Sequence, residues 1–148
     1  MSIELKRLTK EDLAGFTSLI DLFNMVFEEE PKIASETNLL DLLHNKSFIA
    51  LVAIDNAEVV AGLTAYELPM YYSADSEIFL YDLAVRPDHQ RMGIGKGLLQ
   101  RLKEHCVANG IKTFFVMAHE EDEHAIEFYH ATGGKAEKVV NFLYEVSI

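Results

Sequence analysis

The chain has 148 residues, of which 49% are hydrophobic and 25% are charged, and its net charge is −11. These values predict one globular domain over residues 1–148 and exclude a disordered chain. The longest apolar run, Phe48–Ile54, is far shorter than the roughly 18 residues that a membrane span needs. With 13 basic against 24 acidic residues, the composition disfavours nucleic acid as a partner and favours a cationic ligand.

The predicted elements are an initial strand, two helices and a hairpin, followed by alternating strands and helices. In chain order they are a strand at Ile3–Leu8, helices at Glu11–Phe27 and Asn38–Leu43, a hairpin of Phe48–Ile54 and Val59–Leu68 about Asp55-Asn56, a strand at 77–85, a helix at 95–109, a strand at Thr113–Ala118, a helix at 123–131 and a strand near Lys138–Val146. This order predicts an α/β fold in which helices flank one mixed sheet.

The junction between the strand at 77–85 and the following helix is the most informative stretch. Pro87 prevents further sheet pairing, and Gly93 and Gly95 permit unusual backbone angles. From Gly95 a helix is predicted, whose unpaired first N–H groups would favour an anion, typically a phosphate, together with the turn amides. The alternative is that the glycines only form a tight turn between strand and helix.

Two common phosphate loops are excluded by their spacing. A Walker A loop would need Gly at position 90, which is Gln90, and Ser or Thr where Gly97 stands, and a dinucleotide fingerprint would need its third glycine at Leu98. The stretch Gln-Arg-Met-Gly-Ile-Gly instead resembles the Gln/Arg-x-x-Gly-x-Gly/Ala signature of the GCN5-related N-acetyltransferase (GNAT) superfamily. The resemblance implies a coenzyme A pyrophosphate site made by Gln90, Arg91, Met92, Gly93, Ile94, Gly95 and Lys96.

A second stretch, from Ala125 to Gly134, resembles the Ala-x-x-x-Tyr-x-x-x-Gly helix of the same superfamily. Spacing alone indicates only that Ile126 and Tyr129 share a packed helix face. The resemblance implies that the Tyr129 hydroxyl lies near the cofactor sulfur and protonates or hydrogen-bonds the departing thiolate. It also implies a GNAT fold with a mostly antiparallel sheet, and acetyl-CoA as the cosubstrate without a metal.

A narrower resemblance rests on three segments, Ser76–Val85, Leu22-Phe23 with Phe27, and Phe48–Leu51, which are similar to aminoglycoside 3-N-acetyltransferases of the type that modify gentamicin. Its most specific part is Tyr-Asp-Leu-Ala-Val at 81–85. Where many relatives have asparagine before the last helix this chain has Asp122, which the resemblance assigns to cofactor binding.

Asp82 is informative without any family comparison, because an ionised carboxylate among the apolar residues 79–85 is costly to bury unless it is paired. Acyl transfer to nitrogen requires a neutral amine. A carboxylate that accepts a proton directly or through water would therefore permit attack, and its charge would first bind the ammonium form. The alternatives are an internal Lys or Arg partner and an edge position with access to water.

Two further assignments follow from the resemblance alone. A backbone N–H of Leu83, Ala84 or Val85 would meet the oxyanion, with no covalent enzyme intermediate. Glu28 and Glu29 follow the first predicted helix, in a segment that borders the acceptor pocket in relatives, so their carboxylates could bind substrate ammonium groups. The alternative for these two residues is a solvated run of acidic side chains.

Other residue types are less informative. Cys106 lies on the apolar face of its predicted helix and is expected in the core; as a single cysteine it permits no internal disulfide. His124 and His130 share a predicted helix, but their spacing does not place them on one face as metal ligands. Residues Met1–Lys6 lack the core of a signal peptide, and a cytoplasmic location is the default expectation.

The function predicted from these patterns is acetyl-CoA-dependent N-acetylation, acting on the 3-amino group of an aminoglycoside by direct transfer. The alternatives within the family are a polyamine, another small amine or a peptide N-terminus as acceptor. A non-catalytic acyl-CoA sensor is an alternative from another class, which the presence of both Asp82 and Tyr129 disfavours. No membrane partner is expected, and the sequence leaves monomer and homodimer open.

Overall fold

The computed structural model describes residues 2–147, and its largest element is a five-stranded sheet in the order β1-β2-β3-β4-β5. The strands are β1 (Glu4–Arg7), β2 (Phe48–Asp55), β3 (Glu58–Pro69), β4 (Ser76–Val85) and β5 (Phe114–Val116). Neighbours among β1 to β4 pair antiparallel, and β5 pairs parallel with β4. The predicted α/β fold with a mixed, mostly antiparallel sheet is confirmed.

All of the predicted helices form. They are α1 (Leu13–Val26), α2 (Glu36–His44), α3 (Ile94–Ala108) and α4 (Glu123–Ala131), and a short 3₁₀ turn covers Pro87–His89. The bounds of α4 are as predicted. Those of α2 are wider, because Ser35 caps its N-terminus by accepting a hydrogen bond from the Asn38 N–H at 3.2 Å. Within residues 2–147, no helix combines the length and the apolar character needed to cross a membrane.

The core lies on both faces of strand β2, whose residues Phe48 to Ala53 are all buried. Alternate β2 side chains, Phe48, Ala50 and Val52, belong to the apolar cluster that includes the buried face of α1. Ile49 and Leu51 point the other way, since alternate residues of a strand face opposite sides. On α3, Cys106 is 5% exposed, which confirms its predicted place in the core, and burial raises the pKa of its thiol.

The prediction of a last strand near Lys138–Val146 is wrong, because the described residues after Gly133 contain neither helix nor strand. Strand β5 is also shorter than the predicted Thr113–Ala118. The chain forms two compact units that divide after Met117, and all five strands belong to the first. Alternating apolar residues identify a segment able to form a strand, but they do not identify its partner.

We expect Gly62→Ala to lower the free energy of unfolding by about 1–3 kcal/mol, as overpacking does. Gly62 pairs with Val52 in the middle of the sheet, and a Cβ there would collide with the Leu19 side chain and lie 2.7 Å from the Leu51 carbonyl oxygen. Urea denaturation followed by circular dichroism measures the effect. The control is Gly97→Ala in α3, where the added Cβ meets only the Leu5 side chain at 3.5 Å. Equal stability of the two variants would contradict close packing at Gly62.

Candidate active site

The predicted phosphate loop joins the end of β4 to the start of α3. Arg91 (φ 63°) and Gly93 (φ 80°) both have left-handed backbone conformations. Helix α3 begins at Ile94, one residue earlier than predicted, with Gly93 as its N-cap. Its first hydrogen bond runs from the Gly97 N–H to the Gly93 carbonyl at 2.9 Å, so the preceding amides have no acceptor within the helix. These amides form the kind of positive helix terminus that binds anions.

The side chains of this loop divide between the interior and the surface. Ile94 is buried, so only its backbone could meet a ligand, whereas Arg91 and Lys96 are exposed. The Gln90 side-chain amide donates to the Val85 carbonyl at 3.1 Å and thereby ties the loop to the end of β4. The loop carries two basic and no acidic side chains in a chain of net charge −11, which fits a pyrophosphate.

An ion-pair network attaches the start of the loop to the β2–β3 hairpin. His89 Nε2 lies 2.8 Å from Asp55 Oδ2, and His89 Nδ1 lies 2.7 Å from Asp88 Oδ1. Arg86 bridges Asp88 at 2.8 Å and Glu58 at 2.9 Å. The hydrogen bond to Asp55, followed by that to Asp88, raises the pKa of His89. No sequence pattern indicates the contacts with Asp55 and Glu58, because these residues precede His89 and Arg86 by 34 and 28 positions in the chain.

Asp82 lies half-buried on β4 at an irregularity of the sheet. Thr64 of β3 pairs with Asp82, but the next β3 residue, Ala65, pairs with Leu80, so Tyr81 is the extra residue of a β-bulge. Bulges interrupt the regular alternation of a strand and re-aim its side chains, and they are common beside active sites. The predicted catalytic carboxylate therefore stands at a local distortion of β4.

Burial is the largest influence on Asp82 and raises the pKa of its carboxyl group. The charge of Glu29 raises the pKa further, and that of Lys32 lowers it. Lys32 does not neutralise Asp82 by a direct ion pair, because its Nζ lies 2.8 Å from Glu29 Oε2. A carboxylate with a raised pKa is a better proton acceptor than an ordinary aspartate, as a general base requires.

Two tyrosines lie beside this carboxylate. The rings of Tyr66 and Tyr81 meet edge to face with centroids 5.9 Å apart, and Tyr81 is 56% exposed. Burial, then the charges of Tyr81 and Asp82, raise the pKa of Tyr66. The surroundings of Asp82 thus include aromatic rings as well as the charges of Glu29 and Lys32. Neither Tyr66 nor Lys32 is indicated by a sequence motif.

The acidic segment after α1 is folded back onto the end of that helix. Glu28 has a left-handed backbone (φ 51°), and the Glu29 N–H donates to the Asn24 carbonyl at 3.2 Å. The Asn24 side chain in turn donates to the Lys32 carbonyl at 3.0 Å. The structure brings Glu29 into electrostatic reach of Asp82. The predicted roles of Glu28 and Glu29 in substrate binding stay predictions.

Strand β5 does not extend along the part of β4 beyond Leu80. Pairing with β5 stops at Leu80 and Val116, whereas pairing with β3 continues through Leu83, Ala84 and Val85. This last part of β4 therefore has no β5 partner. The predicted role of a backbone N–H of these three residues in meeting an oxyanion stays a prediction.

Asp122 and Tyr129 belong to the second compact unit. Asp122 caps α4, since its Oδ1 accepts a hydrogen bond from the Ala125 N–H at 3.1 Å. The Tyr129 carbonyl accepts a bond from the Gly134 N–H at 2.8 Å, and Gly133 (φ 100°) provides the left-handed residue that ends the helix. The two glycines of this motif are therefore explained by the way in which α4 ends. The cofactor roles of Asp122 and Tyr129 stay predictions.

Comparison with known proteins gives consistent matches. The model of the Acetyltransferase (GNAT) family matches residues 16–133. An aminoglycoside acetyltransferase from an uncultured soil metagenomic sample was solved in complex with trehalose and in complex with sisomicin. Its sequence is 37% identical to this chain in the first structure and 36% identical in the second. Each structure superposes with a TM-score of 0.95, and each match covers 98% of this chain and 97% of the soil enzyme. A second such enzyme, also from an uncultured soil metagenomic sample, is 36% identical, with a TM-score of 0.94 and coverage of 99% and 100%.

A curated relative matches over a shorter stretch. The [ribosomal protein bS18]-alanine N-acetyltransferase of Escherichia coli (strain K12) is 33% identical over 57 residues. This match covers 38% of the present chain and 38% of the length of that relative.

We expect two substitutions to move the pKa of Asp82 in opposite directions. Lys32→Gln removes a positive charge that lowers this pKa, so the pKa should rise, and Glu29→Gln removes a negative charge that raises it, so the pKa should fall. Carboxyl NMR titration of the folded protein measures both shifts. Glu30→Gln serves as the control, with no expected shift. Movement in the same direction for both variants would contradict the charge arrangement.

Proposed function

Because the chain belongs to the acetyltransferase (GNAT) family, we propose that it is an acetyl-CoA-dependent N-acetyltransferase whose acceptor is an amino group of an aminoglycoside. The observation that carries this proposal is the arrangement along β4. The strand holds Asp82, a half-buried carboxylate with a raised pKa, and leads directly into the anion-binding loop at the start of α3. One strand thus supports both a proton acceptor and a phosphate site.

The aminoglycoside acceptor is supported by the two soil enzymes, which are 36% to 37% identical to this chain over nearly its whole length. One of them was solved with sisomicin bound. The 3-amino position is proposed from the resemblance alone, which rests on Ser76–Val85, on Leu22-Phe23 with Phe27, and on Phe48–Leu51. A peptide N-terminus is the competing acceptor, favoured only by the 57-residue similarity to the ribosomal-protein acetyltransferase.

In the proposed mechanism acetyl-CoA supplies an activated acetyl group as a thioester. The backbone amides of residues 91–96 hold its pyrophosphate, and Asp82 accepts a proton from the acceptor ammonium, directly or through water, to give a neutral amine. The neutral amine would attack the thioester carbonyl carbon, so that a C–N bond forms while the C–S bond breaks and the second nitrogen proton passes to water. A backbone N–H of Leu83, Ala84 or Val85 would stabilise the oxyanion, and Tyr129 would protonate the leaving thiolate and regain its proton from solvent. Glu28 and Glu29 attract the other ammonium groups of the acceptor.

An acceptor panel tests the substrate proposal. Thiol release from acetyl-CoA should be fastest with sisomicin and gentamicin, slower with spermidine and with a peptide that has an N-terminal alanine. NMR of the product should show acetylation at the 3-amino group. Activity confined to the peptide or to spermidine would refute the aminoglycoside acceptor and leave family membership intact.

Asp82→Asn should lower kcat by about 10²-fold or more with little change in acetyl-CoA affinity, because a lost general base affects the chemical step. In the parent enzyme kcat/KM should rise with pH through the raised pKa of Asp82, as the carboxylate forms. Glu77→Gln, a carboxylate change on the same strand, is the matched control and should retain activity. Full activity of Asp82→Asn between pH 6 and 9 would show that the carboxylate is structural.

Gly93→Val should weaken acetyl-CoA binding more than Lys96→Met, because backbone amides rather than one charge are proposed to hold the pyrophosphate. No atom lies within 4 Å of a Cβ at Gly93, so the effect arises from its φ of 80°. Gly110→Val is the matched control, since Gly110 also has a positive φ (68°) and open space around it. Calorimetric titration should show the largest loss of affinity for Gly93→Val and none for Gly110→Val; unchanged affinity of Gly93→Val would exclude the backbone site.

A further inference from the structure

The segment that follows α1 is fixed by its backbone to the end of that helix. The Glu29 N–H donates to the Asn24 carbonyl at 3.2 Å, and the Asn24 side-chain amide donates to the Lys32 carbonyl at 3.0 Å. One helical residue therefore holds both ends of the stretch 29–32. The Lys32 side chain is not held by these bonds, since it is 76% exposed and ends in an ion pair with Glu29 Oε2 at 2.8 Å.

An exposed ion pair of this kind is easily exchanged. Water screens the attraction between the two charges, and ordering both side chains costs conformational entropy, so such pairs contribute little free energy. The ammonium group of a lysine is carried on a flexible stem and can turn toward another nearby carboxylate. The partner of Lys32 therefore depends on which carboxylates lie within its reach.

Asp82 is a second carboxylate beside Lys32. Helix α1 packs against β4, which brings the segment after α1 to the strand that carries Asp82. The hydrogen bond and the charge of Glu29 raise the pKa of Lys32, and the charges of Tyr81 and Asp82 raise it further. Burial, and then the charge of Glu29, raise the pKa of Asp82, whereas the charge of Lys32 lowers it. One ammonium group thus lies in the field of two carboxylates and is bonded to the more exposed of them.

We propose that Lys32 competes with the acceptor ammonium for Asp82, and that Glu29 is a positioning residue that holds Lys32 away from this carboxylate. The inference rests on the proposed function, in which Asp82 first binds an acceptor ammonium and then takes a proton from it. Lys32 bonded to Asp82 would occupy the carboxylate oxygens that the acceptor needs. It would also stabilise the charged form of Asp82 and make it a weaker base.

The attachment of Lys32 to the same chain explains why such a positioning residue is needed. A tethered ammonium has an effective concentration on the order of millimolar, whereas the acceptor arrives from solution at its own concentration. A half-buried carboxylate favours any cation that reaches it, because pairing offsets the removal of its charge from water. Without Glu29, Lys32 would therefore close onto Asp82 and block the acceptor.

Carboxyl NMR titration of Asp82 tests this arrangement without any acceptor or cofactor. In the parent chain Glu29→Gln should lower the pKa of Asp82, because a negative charge is lost and because Lys32 then turns to Asp82. In the Lys32→Met background only the first effect remains, so the same substitution should lower the pKa by a smaller amount. Equal falls in the two backgrounds would show that Lys32 does not move to Asp82 and would overturn the proposal.

The kinetics of sisomicin acetylation test the effect on the acceptor. Glu29→Gln should lower kcat/KM by about tenfold or more, which corresponds to one lost charge-assisted contact, and Lys32→Met should leave kcat/KM at or above the parent value. In the Lys32→Met background the loss caused by Glu29→Gln should be smaller, and the part that remains measures direct attraction of the acceptor by Glu29. An equal loss in both backgrounds, or reduced activity of Lys32→Met alone, would overturn the proposal.

A second exposed ion pair of the chain provides the matched control. Lys112 Nζ lies 3.1 Å from Asp75 Oδ2, and these side chains are 80% and 43% exposed, close to the 76% and 45% of Lys32 and Glu29. Asp75→Asn should leave the pKa of Asp82 and kcat/KM unchanged, and effects as large as those of Glu29→Gln would overturn the proposal. Absence of thiol release with every acceptor would refute the proposed function, whereas the titration would still decide whether Glu29 holds Lys32 away from Asp82.

Discussion

Burying the Asp82 carboxylate costs free energy, because a charge is removed from water. This cost determines the protonation behaviour of the candidate site. A direct ion pair with Lys32 would stabilise the charged form and lower the pKa. Lys32 is instead bonded to Glu29 at 2.8 Å, and both charges act on Asp82 from a distance. Burial therefore dominates, and the carboxyl group keeps the raised pKa that a proton acceptor needs.

The position of β4 in the sheet explains why several features of the site occur together. On one side it pairs with β3 along its length, interrupted by the bulge at Tyr81. On the other side the three-residue β5 stops at Val116, so the last part of β4 has no β5 partner. A longer β5 would pair with the backbone groups that are proposed to meet the oxyanion.

The features predicted from sequence are those determined by local chemistry. Helix periodicity located the four helices, and the two glycines with their flanking residues indicated the loop before α3. Asp82 was identifiable because a charge in an apolar strand is costly. Lys32, Tyr66 and the partners of His89 depend on contacts between distant segments, for which no pattern exists. The residues near Lys138–Val146 show the converse, since their alternation is typical of a strand while the described residues after Gly133 form none.

The two groups with raised pKa values respond to pH in opposite ways. As pH rises through its pKa, Asp82 gains the charge required of a base. His89 has a folded-state pKa above the unfolded value of about 6.5, so its contribution to stability is complete below that value and is lost as pH rises through the folded pKa. Its bonds to Asp55 and Asp88 hold the loop to the hairpin. Rising pH therefore favours the charged form of the proposed base while it removes the contribution of protonated His89 to the attachment of the loop.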